Sequence, residues 1–317
     1  MSLIPPEAQV QRDLLPGVLE EVAAKIQGRS TWQLAWTRLK RDRAAIISFA
    51  VIIVIALVAI FAPVFATITG HGVNHQYRTT GLSPSGLPVG PGSKFLLGTD
   101  DLGRDILVRL AYGARISLYV GVVATLATVA IGAILGLAAG YFGGIVDTII
   151  ARLVDLVLSL PYLLFAIALV ARFHPGLTIV IIVIAVFGWA AVARIVRGQV
   201  LSIREKEYVE SARSLGSSSW RIMFIDILPN VAAQLIVYAT LLIPVSIVAE
   251  ASLSFLGVGV PPPTADWGQM LAESETVYQQ AWWFLVFPAL FLLITTLAFN
   301  ILGDGVRDAL DPRLERL

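Results

Sequence analysis

Few residues in this chain can do chemistry, and they are widely spaced. Cysteine is absent, which excludes disulfides, thiol catalysis and thiolate metal sites. His71, His75 and His174 are too dispersed to read as a metal site. No Gly-x-x-x-x-Gly-Lys-Ser/Thr run occurs, and Gly90 to Lys94 does not fit one, so the sequence encodes no loop of that type for ATP phosphates. Glu250 is the most conspicuous ionisable residue, because it interrupts a long apolar run. A charge at the centre of a membrane helix costs about 2.5–3.5 kcal/mol on insertion scales. Glu250 therefore needs a partner on another helix, an aqueous pathway beside it, or a proton. A second group lies upstream, where Asp100, Asp101 and Asp105 alternate with Arg104 and Arg109. Asp101 and Asp105 share a helical face, as do Asp105 and Arg109, the spacing of a solvated surface helix supported by i, i+4 pairing.

The elements that must position these groups are membrane helices. The 317 residues are 57% hydrophobic and 14% charged, against roughly 25% charged in an ordinary soluble domain. Net charge is +1, which gives no reason to expect nucleic acid. A crossing helix needs about 20 mostly apolar residues. Six stretches qualify: 44–66, one helix within 116–146, 149–171, 177–193, 231–257 and 281–303. The first forty residues are polar, so no cleavable signal is expected and the first span must direct insertion itself. With the N-terminus inside, 17 Lys and Arg fall on inner segments and six on outer ones, which places both termini in the cytoplasm. Trp32, Ala35, Trp36 and Leu39 share a face next to Arg38, Lys40, Arg41 and Arg43, the pattern of a short interfacial helix. The chain thus divides into a tail with that helix (1–43), a first span (44–66), an external loop with a surface helix (67–115), a core of five spans (116–303) and a tail (304–317). An external loop at 258–280 joins the last two spans.

Two features of the core invite a partner. Gly132, Gly136 and Gly140 line one face and permit close helix approach, either within this chain or against another membrane subunit. The inner loop at 198–230 reads as helix, glycine, helix. Gly216 can end the first helix in left-handed geometry, the serines after it can cap the second, and Pro229 can mark the start of the next span. Tyr208, Val209, Ala212 and Leu215 form an apolar stripe among charges, suited to a groove on another protein.

Here the residues resemble a family. Glu210-Ser211-Ala212, Gly216 and Leu228-Pro229 are similar to the Glu-Ala-Ala…Gly…Leu-Pro loop of ATP-binding-cassette (ABC) importer permeases, with Ser211 in place of the first alanine and Asp226 where an isoleucine is usual. Leu97-Gly98-Thr99-Asp100-Asp101-Leu102-Gly103-Arg104-Asp105, Ser252 to Gly257, Asp266-Trp267-Gly268 and Asn300 to Pro312 resemble the C-type subunit of the dipeptide, oligopeptide and nickel branch. The resemblance implies an all-α, type I importer permease fold similar to MetI, multi-pass in the bacterial inner membrane. It implies that Glu207, Tyr208, Val209, Glu210, Ser211, Ala212, Arg213, Leu215 and Gly216 form the helix docked on an ATPase. It also implies no catalytic residue and no cofactor here, with ATP and Mg bound by two ATPase subunits, a homologous permease as membrane partner and a substrate-binding protein outside. Di- and oligopeptides are the implied cargo, with nickel chelates, glutathione or sugars as alternatives. Glu250, Ser246 and Pro244 become candidates for the pathway. An ion-driven transporter would show internal repeats and midplane ion sites; no convincing repeat is visible, and Glu250 is the lone candidate charge. An intramembrane enzyme would need a nucleophile–base pair or a metal cluster within the spans, for which the residues are lacking.

Overall fold

A computed structural model describes residues 31–310. The chain is helical, with isolated bridges at Leu82–Pro88 and Thr99–Asp105 and no extended strand among the described residues. A short helix, α1 (Thr31–Leu39), lies where one was expected, with Trp36 exposed under the Lys40 ammonium and Ala35 turned inward. Residues 1–30 and 311–317, with most of the two expected tails, lie outside the described residues. Asp42 caps α2 (Arg43–Ile60) by accepting from the amides of Ala44 and Ala45. The first span was expected to run to residue 66, but α2 ends at Ile60. Pro63 falls in the first turn of α3 (Ala62–Thr69), since its ring cannot continue an α-helix past the carbonyl four residues back.

Four longer helices form the rest of the bundle. They are α4 (Ile106–Phe142), α7 (Leu177–Ile203), α9 (Ser219–Phe255) and α11 (Trp282–Leu310). Each starts earlier or ends later than its apolar run. At 37 residues, α4 is about 55 Å long, well beyond the roughly 30 Å hydrocarbon layer. Its first ten residues occupy the place of the expected surface helix. Asp105 caps it, accepting from Leu107 and Val108. Helix α7 continues past Arg194 and Arg197 because both find acids: Arg194 pairs with Asp155 and Arg197 with Asp147.

The expected third span, 149–171, is two helices. Between α5 (Gly144–Ser159) and α6 (Tyr162–Phe173) the axis turns by 92°. Proline at 161 disfavours helical backbone at the residue before it, and Leu160 and Pro161 are both extended. The described residues therefore hold five long apolar helices and one broken pair. Proline at 229, by contrast, does not break α9. A π-helical stretch at Ile222–Ile227 precedes it, and its wider turn absorbs the ring.

The glycine seam lies within the chain. A Cβ on Gly132 would sit 2.6 Å from Val192, on Gly136 2.7 Å from the Ala193 carbonyl, and on Gly140 2.6 Å from Val200. Helices α4 and α7 thus lock together over about two turns, and that face is closed to a second subunit.

Candidate functional site

The inner loop folds as a hairpin under the α4–α7 pair. Its first arm is α8 (Glu207–Ser214), with Glu207 and Glu210 in the first turn and Arg213 in the last, each favourable to the helix dipole. The arm closes in a Schellman motif. Ser217 donates to the Ala212 carbonyl, Gly216 donates to Arg213, and Gly216 holds φ +77°, a geometry that disfavours side chains. Ser218 caps the second arm by accepting from the Arg221 amide. That arm is α9 itself, so the hairpin is rigidly continuous with a membrane helix.

The expected apolar stripe divides into two faces. Val209 is fully buried and Ala212 half-buried, packed among Tyr141, Val200, Ile222, Met223 and Ile227. Those two residues hold α8 to its own chain, because the second arm supplies a complementary apolar face. Tyr208 and Leu215 point outward, Leu215 85% exposed, together with Glu207, Glu210, Ser211, Arg213 and Gly216. Arg213 also lies 5.6 Å over the Tyr141 ring, which pins the arm to the C-terminal end of α4, and Arg204, at the end of α7, donates to the Gly140 carbonyl. Sequence reasoning missed Trp220 and Phe224, one turn apart, stacked at 5.4 Å and both exposed on the second arm. Their i, i+4 spacing was the available signal.

At the opposite end of the bundle, the expected solvated helix is replaced by a buried ionic lattice. Asp100 and Arg109 are fully buried and Arg104 nearly so. Asp100 accepts from Arg104 and lies 3.3 Å from Arg109 Nε, while Glu273 of α10 (Trp267–Ser274) meets both guanidinium groups. Asp105 does not pair with Arg109; beyond its capping role it meets His71 at 2.5 Å. Asp100, Asp101 and Glu273 place carboxylate oxygens within 4.8 Å of one another, with the two arginines among them as counter-charges. Burial and the neighbouring Asp100 and Glu273 push the Asp101 carboxyl up to about 6. Trp283 donates to the Thr99 carbonyl and Trp267 to that of Leu110, tying the external segment to α11 and α4 to α10.

Glu250 is enclosed. It accepts from Ser117 at 3.1 Å and Ser254 at 3.0 Å and has no exposed surface. Asp266, whose carboxyl burial pushes up to about 6, lies in the loop above. Its fixed partners are thus one hydroxyl on α4 and one on its own helix. Ser246 is bridged to Thr125 at 3.0 Å, and Pro244 is buried within a continuous α9.

Comparison with known proteins agrees with this architecture. Residues 132–316 match the family described as binding-protein-dependent transport system inner membrane component, and residues 30–84 match the N-terminal TM domain of oligopeptide transport permease C. The chain is 42% identical to the dipeptide transport system permease protein DppC of Bacillus subtilis over 298 residues, 94% of this chain and 90% of that one. It is 41% identical to the oligopeptide transport system permease protein OppC of the same organism, over 95% of each. A solved inward-facing MetNI methionine ABC transporter shares the fold, with TM-score 0.51 and 20% identity over 63% of this chain and 96% of that one.

Proposed function

The chain belongs to the binding-protein-dependent transport system inner membrane components, an ABC importer permease family, and from that premise we propose that it carries di- and oligopeptides inward in partnership with an ATPase. The observation that carries the coupling step is the division of α8 into two faces. Val209 and Ala212 fasten it inward, while Glu207, Tyr208, Glu210, Ser211, Arg213, Leu215 and Gly216 are offered outward. A pull on that outer face reaches α4 through Tyr141, and reaches α9 through the second arm of the hairpin.

The glycine seam makes α4 and α7 one rigid body. Closure of two ATP- and Mg-loaded ATPases would therefore rock the bundle and would not bend a single helix. The broken α5–α6 pair counts as one crossing, giving six spans with both termini cytoplasmic, in keeping with the 17-to-six charge bias. A homologous permease completes the pathway in the bacterial inner membrane, and a binding protein delivers peptide to the outer surface. That surface is held rigid by the Asp100–Arg104–Glu273 lattice.

The test is uptake of labelled peptide by proteoliposomes holding the full complex, with Glu210→Lys as the variant. ATP-dependent uptake that the variant abolishes is the expected result. Uptake driven by an ion gradient without ATP would overturn the reading.

A further inference from the structure

Helix α5 carries one face more than a lipid-covered helix needs. Thr148, Arg152, Asp155 and Ser159 are all exposed. At about 100° per residue they fall within about 60° of one another around the axis, and they climb about 17 Å along it. Ile150 and Val154 lie on the opposite side, buried against α4 and α7 with Ala139, Trp189 and Ala193. Ile149, Leu153 and Leu156, about a quarter turn from the polar stripe, form a separate exposed apolar face. The helix therefore has one packed face, one face fit for lipid and one polar face.

The polar face climbs into the membrane and does not lie along its surface. Asp147 pairs with Arg197, Asp155 pairs with Arg194 at 2.8 Å, and Leu160 shares a cavity with Phe187 and Gly188. From Arg197 back to Gly188, α7 spans about 14 Å, and α5 climbs beside it, away from the α8 end of the bundle. Gly188 is about 17 Å from the far end of α7, near the middle of a roughly 30 Å hydrocarbon layer.

At that depth the helix breaks. Leu160 and Pro161 are extended, Pro161 is exposed, and no side chain caps the start of α6. Lipid cannot satisfy such backbone, which persists where protein covers it or where it lines a water-filled cavity. The stripe decides between those two. The core of a protein interface is depleted of charge, whereas the side chains of Arg194 and Asp155 are 55% and 58% exposed as a pair, and Arg152 adds another exposed cation. Ionisable residues on membrane helices face the bundle interior or a water-filled cavity, and this side of α5 is turned away from its own bundle. Water is the cover that suits both the charges and the broken backbone.

We propose that the polar stripe of α5, from Thr148 to Ser159, lines the water-filled half of the translocation pathway that opens to the cytoplasm, ending at the α5–α6 break. A passing peptide, zwitterionic at its ends, crosses this stretch hydrated and beside side chains of both charge signs. The proposal rests on the importer reading and orientation above, and it assigns the pathway to one face of one helix.

The absence of native cysteine makes the test direct. Thr148→Cys, Ser159→Cys, Leu153→Cys and Leu156→Cys are introduced singly into the full complex in proteoliposomes, with binding protein and labelled dipeptide enclosed and ATP outside. ATP-driven release before treatment shows that each variant is folded. Each is then exposed from outside to a membrane-impermeant cationic methanethiosulfonate, without nucleotide and during ATP turnover, and mass spectrometry of this chain gives the faster rate. The thiolate is the reacting species and an apolar setting keeps the thiol protonated, so both stripe positions should label at least about tenfold faster than both leucine positions. Treatment should also stop release by Ser159→Cys and leave release by Leu156→Cys unchanged. Equal rates at stripe and leucine positions would overturn the proposal. So would fast labelling of Ser159→Cys without loss of release, which would make the stripe a surface cleft. An unlabelled Ser159→Cys that cross-links to another membrane subunit would overturn it as well and make the stripe a subunit seam. If the unaltered complex moves no peptide on ATP, the importer reading itself fails. If it moves peptide and the stripe stays unlabelled, the proposal fails and the importer reading stands.

Discussion

Replacing Val209 with alanine tests whether α8 is a fastened lever or a loose loop. Val209 is fully buried in the apolar cluster beneath α4 and α7. The substitution deletes two methyl groups, which at about 0.8 kcal/mol per methylene-sized group removes about 1.6 kcal/mol of burial. A partly unrelaxed cavity raises this towards about 2 kcal/mol. The loss falls on the docked state of a helix of eight residues, too short to persist without its packing. Opening of α8 should therefore become about thirtyfold more frequent, since 1.4 kcal/mol is a factor of about ten. Hydrogen exchange by mass spectrometry on the detergent-solubilised chain reads this directly in peptides spanning 206–217. Exchange there should accelerate by that factor, while peptides in α4 keep their protection. Leu215→Ala is the control: the side chain is 85% exposed, so exchange should not change. Equal exchange in the valine and leucine variants, or none in either, would refute the division of α8 into a fastened face and an offered face.

Gly136→Leu should lower thermal stability by at least about 1–3 kcal/mol, because a Cβ there already meets the Ala193 carbonyl and Val196 at 2.7 Å. Gly198→Ala meets nothing within 4 Å and should be near neutral in the same melting assay. Asp101→Asn should raise the melting temperature at pH 7.5, with the gain vanishing towards pH 4. The native Asp101 carboxyl, pushed up to about 6 from 3.8, binds its proton more tightly than the unfolded chain does. Its contribution therefore falls as pH rises through that window, and asparagine removes the fall. A gain that is constant across pH would contradict the burial assigned to Asp101.

Much of the bundle was legible because the solvent is so selective. Long uncharged runs located the membrane helices, and four-residue glycine spacing located the α4–α7 seam, although only coordinates showed that the seam closes within the chain. Gly216 and the serines after it announced the hairpin. Helix ends were not legible, since Arg194, Arg197 and the residues from Ile106 to Arg115 looked like boundaries. Polar residues look like boundaries when their partners, Asp155, Asp147 and Glu273, are far away in sequence. For the same reason Asp100 and Arg109 read as solvated when they are buried. Proline carried an ambiguous signal. At 161 it marks a 92° turn, while at 229 a π-helical stretch absorbs it, and the surrounding sequence is apolar in both cases. On α8, helical spacing grouped Tyr208, Val209, Ala212 and Leu215 into one stripe. The packing of the second arm then decided which of them remained outside.

The central claim is that the outward face of α8 meets an ATPase, and the absence of native cysteine makes a clean cross-linking test possible. Single substitutions Glu207→Cys, Ser211→Cys and Leu215→Cys, in a complex whose ATPase carries a thiol-reactive photoprobe partner in membranes, should each yield a permease–ATPase product that changes in yield when ATP is added. Val209→Cys, on the fastened face, should yield none. Products of equal yield from Val209 and Leu215, or none from the three outward positions while the complex imports peptide, would contradict the account.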